Sequence, residues 1–200
     1  MSLYVPPHFR VDDRETANRL IAENGFAMLT CMGSDGLQAS HLPLVLDDGG
    51  NVLLGHFARA NPQWRCFDGA TEALAVFWGP HAYVSPRWMS GDGNVPTWNY
   101  QVVQVTGRPR LIEDAGTTAA VLDRLVAQYE PGPDGWRTAD LADGRFEGMI
   151  KAIVAFEMPI ESLACKFKLS QNKTPADRAG VIEGLREAGN GVLADRMSAK

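Results

Sequence analysis

Apolar and polar positions alternate with a period near two through much of the first half of the chain, which is the signature of half-buried strands. Phe26 to Met32 reads as one strand, Ser34-Asp35-Gly36 as a hairpin turn, and Leu37 to Leu46 as the returning strand. Pro43 interrupts that second strand, which implies an edge position or a bulge. Asp47 to Asn51 forms the next turn and Val52 to Phe57 the third strand. Thr71 to Trp78 is again strand-like, and Trp98 to Ile112 reads as one long strand bent at Gly107 or Pro109. A late strand lies within Met149 to Leu169, carried by Ile153, Val154, Phe156 and Ile160, and closes the sheet by long-range pairing. Short strands at roughly ten-residue spacing predict a sandwich or a barrel.

Helical spacing appears between and after these strands. A helix is expected after Asp12 or Asp13, with Ala17, Leu20 and Ile21 as its apolar stripe and Gly25 as a left-handed cap. Arg59-Ala60-Asn61-Pro62 reads as a strand end, a cap and a first-turn proline, opening a short helix over Gln63 to Phe67. Asp114 to Glu130 carries Leu122, Leu125, Val126 and Tyr129 at helical spacing, and Thr138 to Gly148 is polar enough for a short helix or turn. Thr174 followed by Pro175 and Asp177 starts a helical tail, with Val181, Ile182 and Leu185 on its apolar face and further turns over Asn190 to Met197. No repeat or long linker divides the chain, so residues 1–200 are expected to form one domain with a helical tail from about residue 174.

Composition narrows the possibilities. Among 200 residues, 45% are hydrophobic and 22% charged, as in an ordinary globular domain. A net charge of −5 argues against a broad phosphate-binding face, leaving DNA contact only to a local patch such as Lys166 to Lys173. There is no signal-peptide pattern and no apolar run of the roughly 18–20 residues that a membrane helix needs, so the expected location is cytoplasmic. Cys31, Cys66 and Cys165 are far apart and lack C-x-x-C spacing, which fits reduced thiols. His8, His41, His56 and His81 show no metal-ligand spacing, and no metal site is expected. Neither a nucleophile elbow nor a phosphate loop is present.

Two stretches suit an anion. Arg59 precedes a proline-opened helix capped by Asn61, and a guanidinium beside free helix N–H groups cradles phosphate well. Alternation places Lys166, Lys168 and Ser170 on one side of an extended segment, just before the Thr174 helix. A third stretch, Val76 to Arg110, holds three of the five tryptophans, Trp78, Trp88 and Trp98, interleaved with Tyr83, Ser85, Thr97 and Asn99. That mixture of aromatic faces and polar groups suits a flat, partly polar ring, or else a barrel core with its polar groups outward.

Tyr4-x-Pro6-x-His8-Phe9, Ala39-Ser40-His41-Leu42-Pro43, Gly55-His56-x-Ala58-Arg59-Ala60-Asn61-Pro62-x-Trp64, Gly79-Pro80-x-Ala82-Tyr83-Val84-Ser85-Pro86-x-Trp88, Val95-Pro96-Thr97-Trp98-Asn99-Tyr100 and Lys166-x-Lys168-Leu169-Ser170-Gln171-Asn172 together resemble the PaiB family, described as FMN-binding negative transcriptional regulators. The resemblance spans nearly the whole chain. It implies a mainly β fold with peripheral helices, the FMN-binding split β-barrel of Greek-key type shared with pyridoxamine-phosphate oxidases. It also implies a homodimer with FMN in a groove between subunits. On this reading Arg59 and the Asn61 helix start hold the phosphate, while Ser40, His41, His56 and Ala58 line the same region. Tyr83, Ser85, Thr97, Trp98 and Asn99 supply ring surface and polar handles, and Lys168, Ser170 and Asn172 complete the site. Trp78 is expected to be structural. Met89 and Gln104 depart from the family pattern, where Tyr and His are expected. A flavin-dependent oxidoreductase, acting as an NAD(P)H:flavin reductase or like a pyridoxamine-phosphate oxidase, is the alternative function, and a haem-binding or haem-degrading split barrel a weaker one.

Overall fold

The computed structural model describes residues 3–142 and 144–198. In chain order these form α1 (Arg14–Glu23), β1 (Phe26–Gly33), β2 (Gly36–Leu46), β3 (Val52–Ala58), β4 (Ala73–Val84), β5 (Thr97–Gly107), β6 (Arg110–Ile112), α2 (Ala115–Tyr129), α3 (Arg145–Ile150), β7 (Ile153–Pro159), β8 (Ser162–Lys168), α4 (Pro175–Glu187) and α5 (Gly191–Ser198), with short 3-10 turns between. Eight strands make one sheet in the order β6-β7-β3-β2-β1-β4-β5-β8. The chain is mainly β, as its alternation predicts. Two expectations change. The late strand is two strands, β7 and β8, parted at Ile160 and Glu161, and the long Trp98–Ile112 strand breaks into β5 and β6 around Arg108 and Pro109.

The residues gather into two compact units, through both of which β4 and β5 run. One comprises Asn18–Phe77 and Gln104–Leu163. Within it β1 pairs antiparallel with β2 and β4, β2 with β3, β3 with β7, and β7 with β6. Pro43 is not at an edge. It is the last β2 residue aligned with β1, opposite Phe26, and from Leu44 onward β2 pairs with β3. A residue without an N–H is tolerated where the strand changes partners. Phe57, Phe67 and Phe156 meet with ring centroids 4.8–5.4 Å apart at the heart of this unit. Helix α2 lays Val121 and Leu125 on Val45. Gly25 lacks the left-handed conformation expected of a cap. It is needed for space, since a Cβ there would stand 2.5 Å from Tyr129 Oη and 3.0 Å from the Leu44 carbonyl.

The other unit comprises Met1–Ala17, Trp78–Val103 and Ala164–Lys200. Its core is built from Ala82, Val84 and Leu169 with Val181, Leu185, Leu193, Ala194 and Met197 of the last two helices, and Trp88 and Met89 pack against it. Helices α4 and α5 are therefore half of this core. Thr174 Oγ1 accepts from Asp177 N at 3.1 Å, which caps α4. Asp177 Oδ1 in turn accepts from Ser90 N at 2.8 Å and Ser90 Oγ at 3.2 Å, fastening the loop that leads into β5.

Candidate functional site

The residues singled out by sequence fall into two groups, one in each unit. In the Asn18–Phe77 unit, Ser40 and His41 are neighbours on β2 and so face opposite sides of the sheet. Ser40 lies half-buried opposite Leu29, with Oγ accepting from Asn61 Nδ2 at 2.8 Å. His41 is exposed opposite Met28 and stacks on Phe26 at 6.4 Å. His56 and Ala58 share a face of β3, opposite Ala155 and Ile153. His56 Nδ1 is buried without a hydrogen-bond partner, and burial pushes the ring's pKa below the usual histidine value, favouring the neutral form.

Arg59 follows at the end of β3. Its Nε donates to the Lys151 carbonyl at 2.8 Å and its Nη2 to the Ile153 carbonyl at 2.7 Å. Trp64 Nε1 donates back to the Arg59 carbonyl at 3.0 Å. The guanidinium is thereby held at the lining of a cavity of about 430 Å³, with Trp64, Ile112, Glu113, Lys151 and Val154 among its walls. The expected helix-terminus cradle is absent. The helix is a 3-10 turn, Pro62–Cys66; Pro62 has no N–H, and the Gln63 N–H is taken by Asn61 Oδ1 at 3.0 Å. Asn61 thus caps its own turn and ties it to Ser40.

In the Trp78–Val103 unit the exposed positions of β4 switch parity at Gly79-Pro80, so that Trp78, His81 and Tyr83 all reach the surface. Trp78, expected to be structural, is 51% exposed and Trp98 53%. His81 lies 6.1 Å from Trp78 and 6.4 Å from Trp98, and Tyr83 meets Trp98 edge-on at 6.4 Å. His81 Nδ1 sits 3.0 Å from the Gly79 carbonyl, which fixes the proton on Nδ1. Four aromatic rings thus form a continuous exposed wall. Ser85 is not part of it: it is buried, and its Oγ accepts from Arg87 N to cap the Pro86–Trp88 turn. Met89 packs on the helices instead.

Three lysines, Lys166, Lys168 and Lys173, stand on β8 and just after it. Lys168 Nζ donates to Thr97 Oγ1 at 2.6 Å and to the Trp98 carbonyl at 2.5 Å. Lys166 is 7% exposed; its Nζ donates to the Tyr4 carbonyl at 3.1 Å and lies over the rings of Tyr4 and Tyr100 at 5.4 and 5.3 Å. Lys173 donates to Asn94 Oδ1 at 2.8 Å. Among the described residues none of the three has a carboxylate partner. Burial, then repulsion from Lys166 and Lys173, pulls the Lys168 pKa below the usual lysine value. Lys166 is thus a buried group. Asn99 is fully buried, with Nδ2 donating to Ser170 Oγ at 2.9 Å, and Ser170 holds a left-handed φ of 59°. That pair faces inward and braces the turn that carries Lys168, while Asn172 is exposed. His81, Tyr4 and Tyr100 were not among the expected site residues, although all three lie in or beside the quoted motifs; interleaving of rings with lysines was the available signal.

Among the described residues no helix is long and apolar enough to cross a membrane, and no cluster of three or more His, Cys, Asp or Glu side chains could hold a metal ion.

Comparison with known proteins gives a consistent picture. The family model for a "Putative FMN-binding domain" matches residues 3–162. The Bacillus subtilis protein named "Protease synthase and sporulation protein PAI 2" is 36% identical over 94% of this chain and 91% of its own length. An uncharacterised Aspergillus fumigatus protein is 33% identical over 78% of each chain. Among solved structures, the FAD and haem binding protein of Mycobacterium smegmatis aligns with a TM-score of 0.66 at 18% identity, covering 85% of this chain and 78% of that one. The flavocytochrome Anf3 of Azotobacter vinelandii aligns at 0.64 and 16%, covering 88% and 78%. At such identities these two establish the fold, a mainly β split barrel. With its aromatic wall, its cations and the full-length similarity to the Bacillus protein, the chain belongs to the PaiB family of FMN-binding-domain proteins.

Proposed function

We propose that this protein binds FMN as a homodimer, with the cofactor at the seam between subunits, and acts as a PaiB-type sensor of redox or metabolite state in negative control of transcription. The observation that carries the reading is a lysine cluster without carboxylate partners beside exposed Trp98, Tyr83, His81 and Trp78. Three cations left together and partly desolvated repel one another, and an anion relieves that repulsion. Exposed aromatic faces next to them suit the ring of the same molecule.

The donor set fits FMN. Lys168 is assigned to the phosphate within the Trp78–Val103 unit; within the Asn18–Phe77 unit the candidate anchor is Arg59 through Nη1, the end of its guanidinium that its two carbonyl contacts leave over. Trp98 and Tyr83 offer ring surface and Thr97 holds Lys168 in place. Asn99 and Ser170 keep the Lys168 turn in shape, and Ser85 keeps the turn after β4. Bound FMN supplies reversible electron transfer on its ring. Fluorescence titration with FMN tests the assignment. Arg59→Ala and Lys168→Gln are each expected to weaken binding by about 1.5–3 kcal/mol, roughly ten- to a hundredfold. An unchanged dissociation constant in either variant removes that residue from the phosphate.

The regulatory part of the proposal does not run through a basic DNA face. The chain carries a net charge of −5, and the one local patch legible in sequence has Lys166 buried and Lys168 committed to Thr97 and Trp98. No mobility shift of the protein's own upstream DNA is expected at physiological salt, with or without FMN. A salt-sensitive shift abolished by Lys173→Gln would show that direct binding operates.

A further inference from the structure

Cys31 and Cys66 occupy a separate place in the Asn18–Phe77 unit, at the far end of β1 from Phe26. Cys31 and Gly33 are two apart on β1 and share a face. A Cβ built on Gly33 would stand 3.1 Å from Cys66 Sγ. Cys66 Sγ donates to Gln38 Oε1 at 3.8 Å, and Gln38 is the residue directly opposite Cys31 on β2. Cys66 therefore lies over the same small patch of sheet onto which Cys31 projects, and it is close enough to act on the Cys31 thiol electrostatically and by hydrogen bonding.

The two thiols differ in access. Cys31 is 3% exposed, and Gln63 Nε2 points at its Sγ at 3.6 Å while bonding the Leu29 carbonyl at 2.9 Å. Cys66 is half-buried and lines an open pocket of about 270 Å³ with Gln38, Arg65, Asp68 and Asp35. Cys165 lies in the other unit, buried, its thiol pushed up to about 12 by burial and the nearby Asp13.

We propose that Cys31 and Cys66 form an oxidisable dithiol, in which a hydroperoxide entering the pocket reacts at Cys66 and the product resolves onto Cys31 as an intramolecular disulfide. In the first step a Cys66 S–O bond forms as the peroxide O–O bond breaks; the thiol proton leaves with the departing oxygen as water, and Cys66 becomes a sulfenic acid. In the second, Cys31 sulfur attacks Cys66 sulfur, the S–O bond breaks and a second water leaves. Two thiols and one hydrogen peroxide thus give one disulfide and two waters. Burial pushes the Cys31 thiol up to about 11, and the Gln63 amide offsets part of this by supporting charge on the sulfur as its proton departs. Oxidation would clamp the Pro62–Cys66 turn onto β1 at Cys66, five residues past Asn61, whose side chain ties the turn to Ser40. It needs no flavin and is independent of the function proposed above.

The test is to treat the native protein with equimolar hydrogen peroxide, unfold it, count thiols and map disulfide-linked peptides. The wild type should fall from three free thiols to one, with the link between Cys31 and Cys66 and Cys165 free. Cys31→Ser should instead trap Cys66 as a sulfenic acid captured by a dimedone probe, and Cys66→Ser should keep both remaining thiols. Three free thiols in the treated wild type, a Cys66–Cys66 link between chains, or equal oxidation in Cys66→Ser would each overturn the proposal.

Discussion

Single residues carry most of the chemistry, and two of them make it depend on pH. Lys168 must be protonated to hold an anion. Its pKa is drawn down first by burial and then by Lys166 and Lys173, so the protein loses this charge at lower pH than the usual lysine value of 10.5. FMN affinity should therefore fall on the alkaline side before ordinary lysines titrate, and isothermal titration of Lys168→Gln should lack that limb. His56 gives the opposite edge. Its folded pKa is below 6.5, so as pH falls through 6.5 the unfolded chain takes up a proton that the folded one refuses. Stability from this group is present above that range and declines beneath it. Urea midpoints at pH 7 and pH 5 should differ less in His56→Phe than in the wild type; an equal difference would show that His56 is not responsible. Ser170 offers a purely structural check. Ser170→Ala keeps the left-handed backbone and leaves buried Asn99 Nδ2 with only the weak Met197 Sδ acceptor, whereas Ser170→Gly loses the same hydrogen bond but recovers about 1 kcal/mol of strain. Both should destabilise, with the alanine variant the weaker of the two on chemical denaturation.

At the level of elements, α4 and the Pro86–Trp88 turn are fitted face to face. A Cβ on Gly180 would overlap the Trp88 carbonyl oxygen, a backbone atom that no rotamer change can move aside. Gly180→Ala should lower stability by roughly 1–3 kcal/mol despite alanine's better helix propensity. Gly148 in α3 has open space around it, and alanine there should stabilise by roughly 0.5–1 kcal/mol. A thermal-unfolding comparison of the two variants reads the sign directly. Elements were also where sequence reading was most and least reliable. Alternation located β1, β2 and β3 to within a residue or two, because each buries one face. It merged β7 with β8, since both segments are apolar and only Ile160 and Glu161 part them. It also placed a phosphate cradle at Pro62, because a sequence names a cap but not the length of the helix behind it. The aromatic wall was legible as composition, yet the half-exposed position of Trp78, expected to be structural, was not. The parity switch at Gly79-Pro80 is a backbone event that no count of residue types reveals.

For the whole molecule, the family and the flavin-type fold follow from motifs distributed along the chain, while the assembly remains a proposal resting on exposed apolar surface. Phe26, Met32 and Leu37 are more than half exposed on β1 and β2, more than an isolated subunit needs. Sedimentation should give a dimer, and Leu37→Glu should shift it toward monomer. The central claim, that this chain is an FMN-binding protein, is most directly tested by titrating the purified, FMN-free protein with FMN and following quenching of flavin fluorescence. Saturation at one FMN per chain, weakened roughly ten- to a hundredfold by Lys168→Gln with the fold intact, is the predicted result. A folded wild-type protein that leaves flavin fluorescence unchanged at excess protein would contradict it.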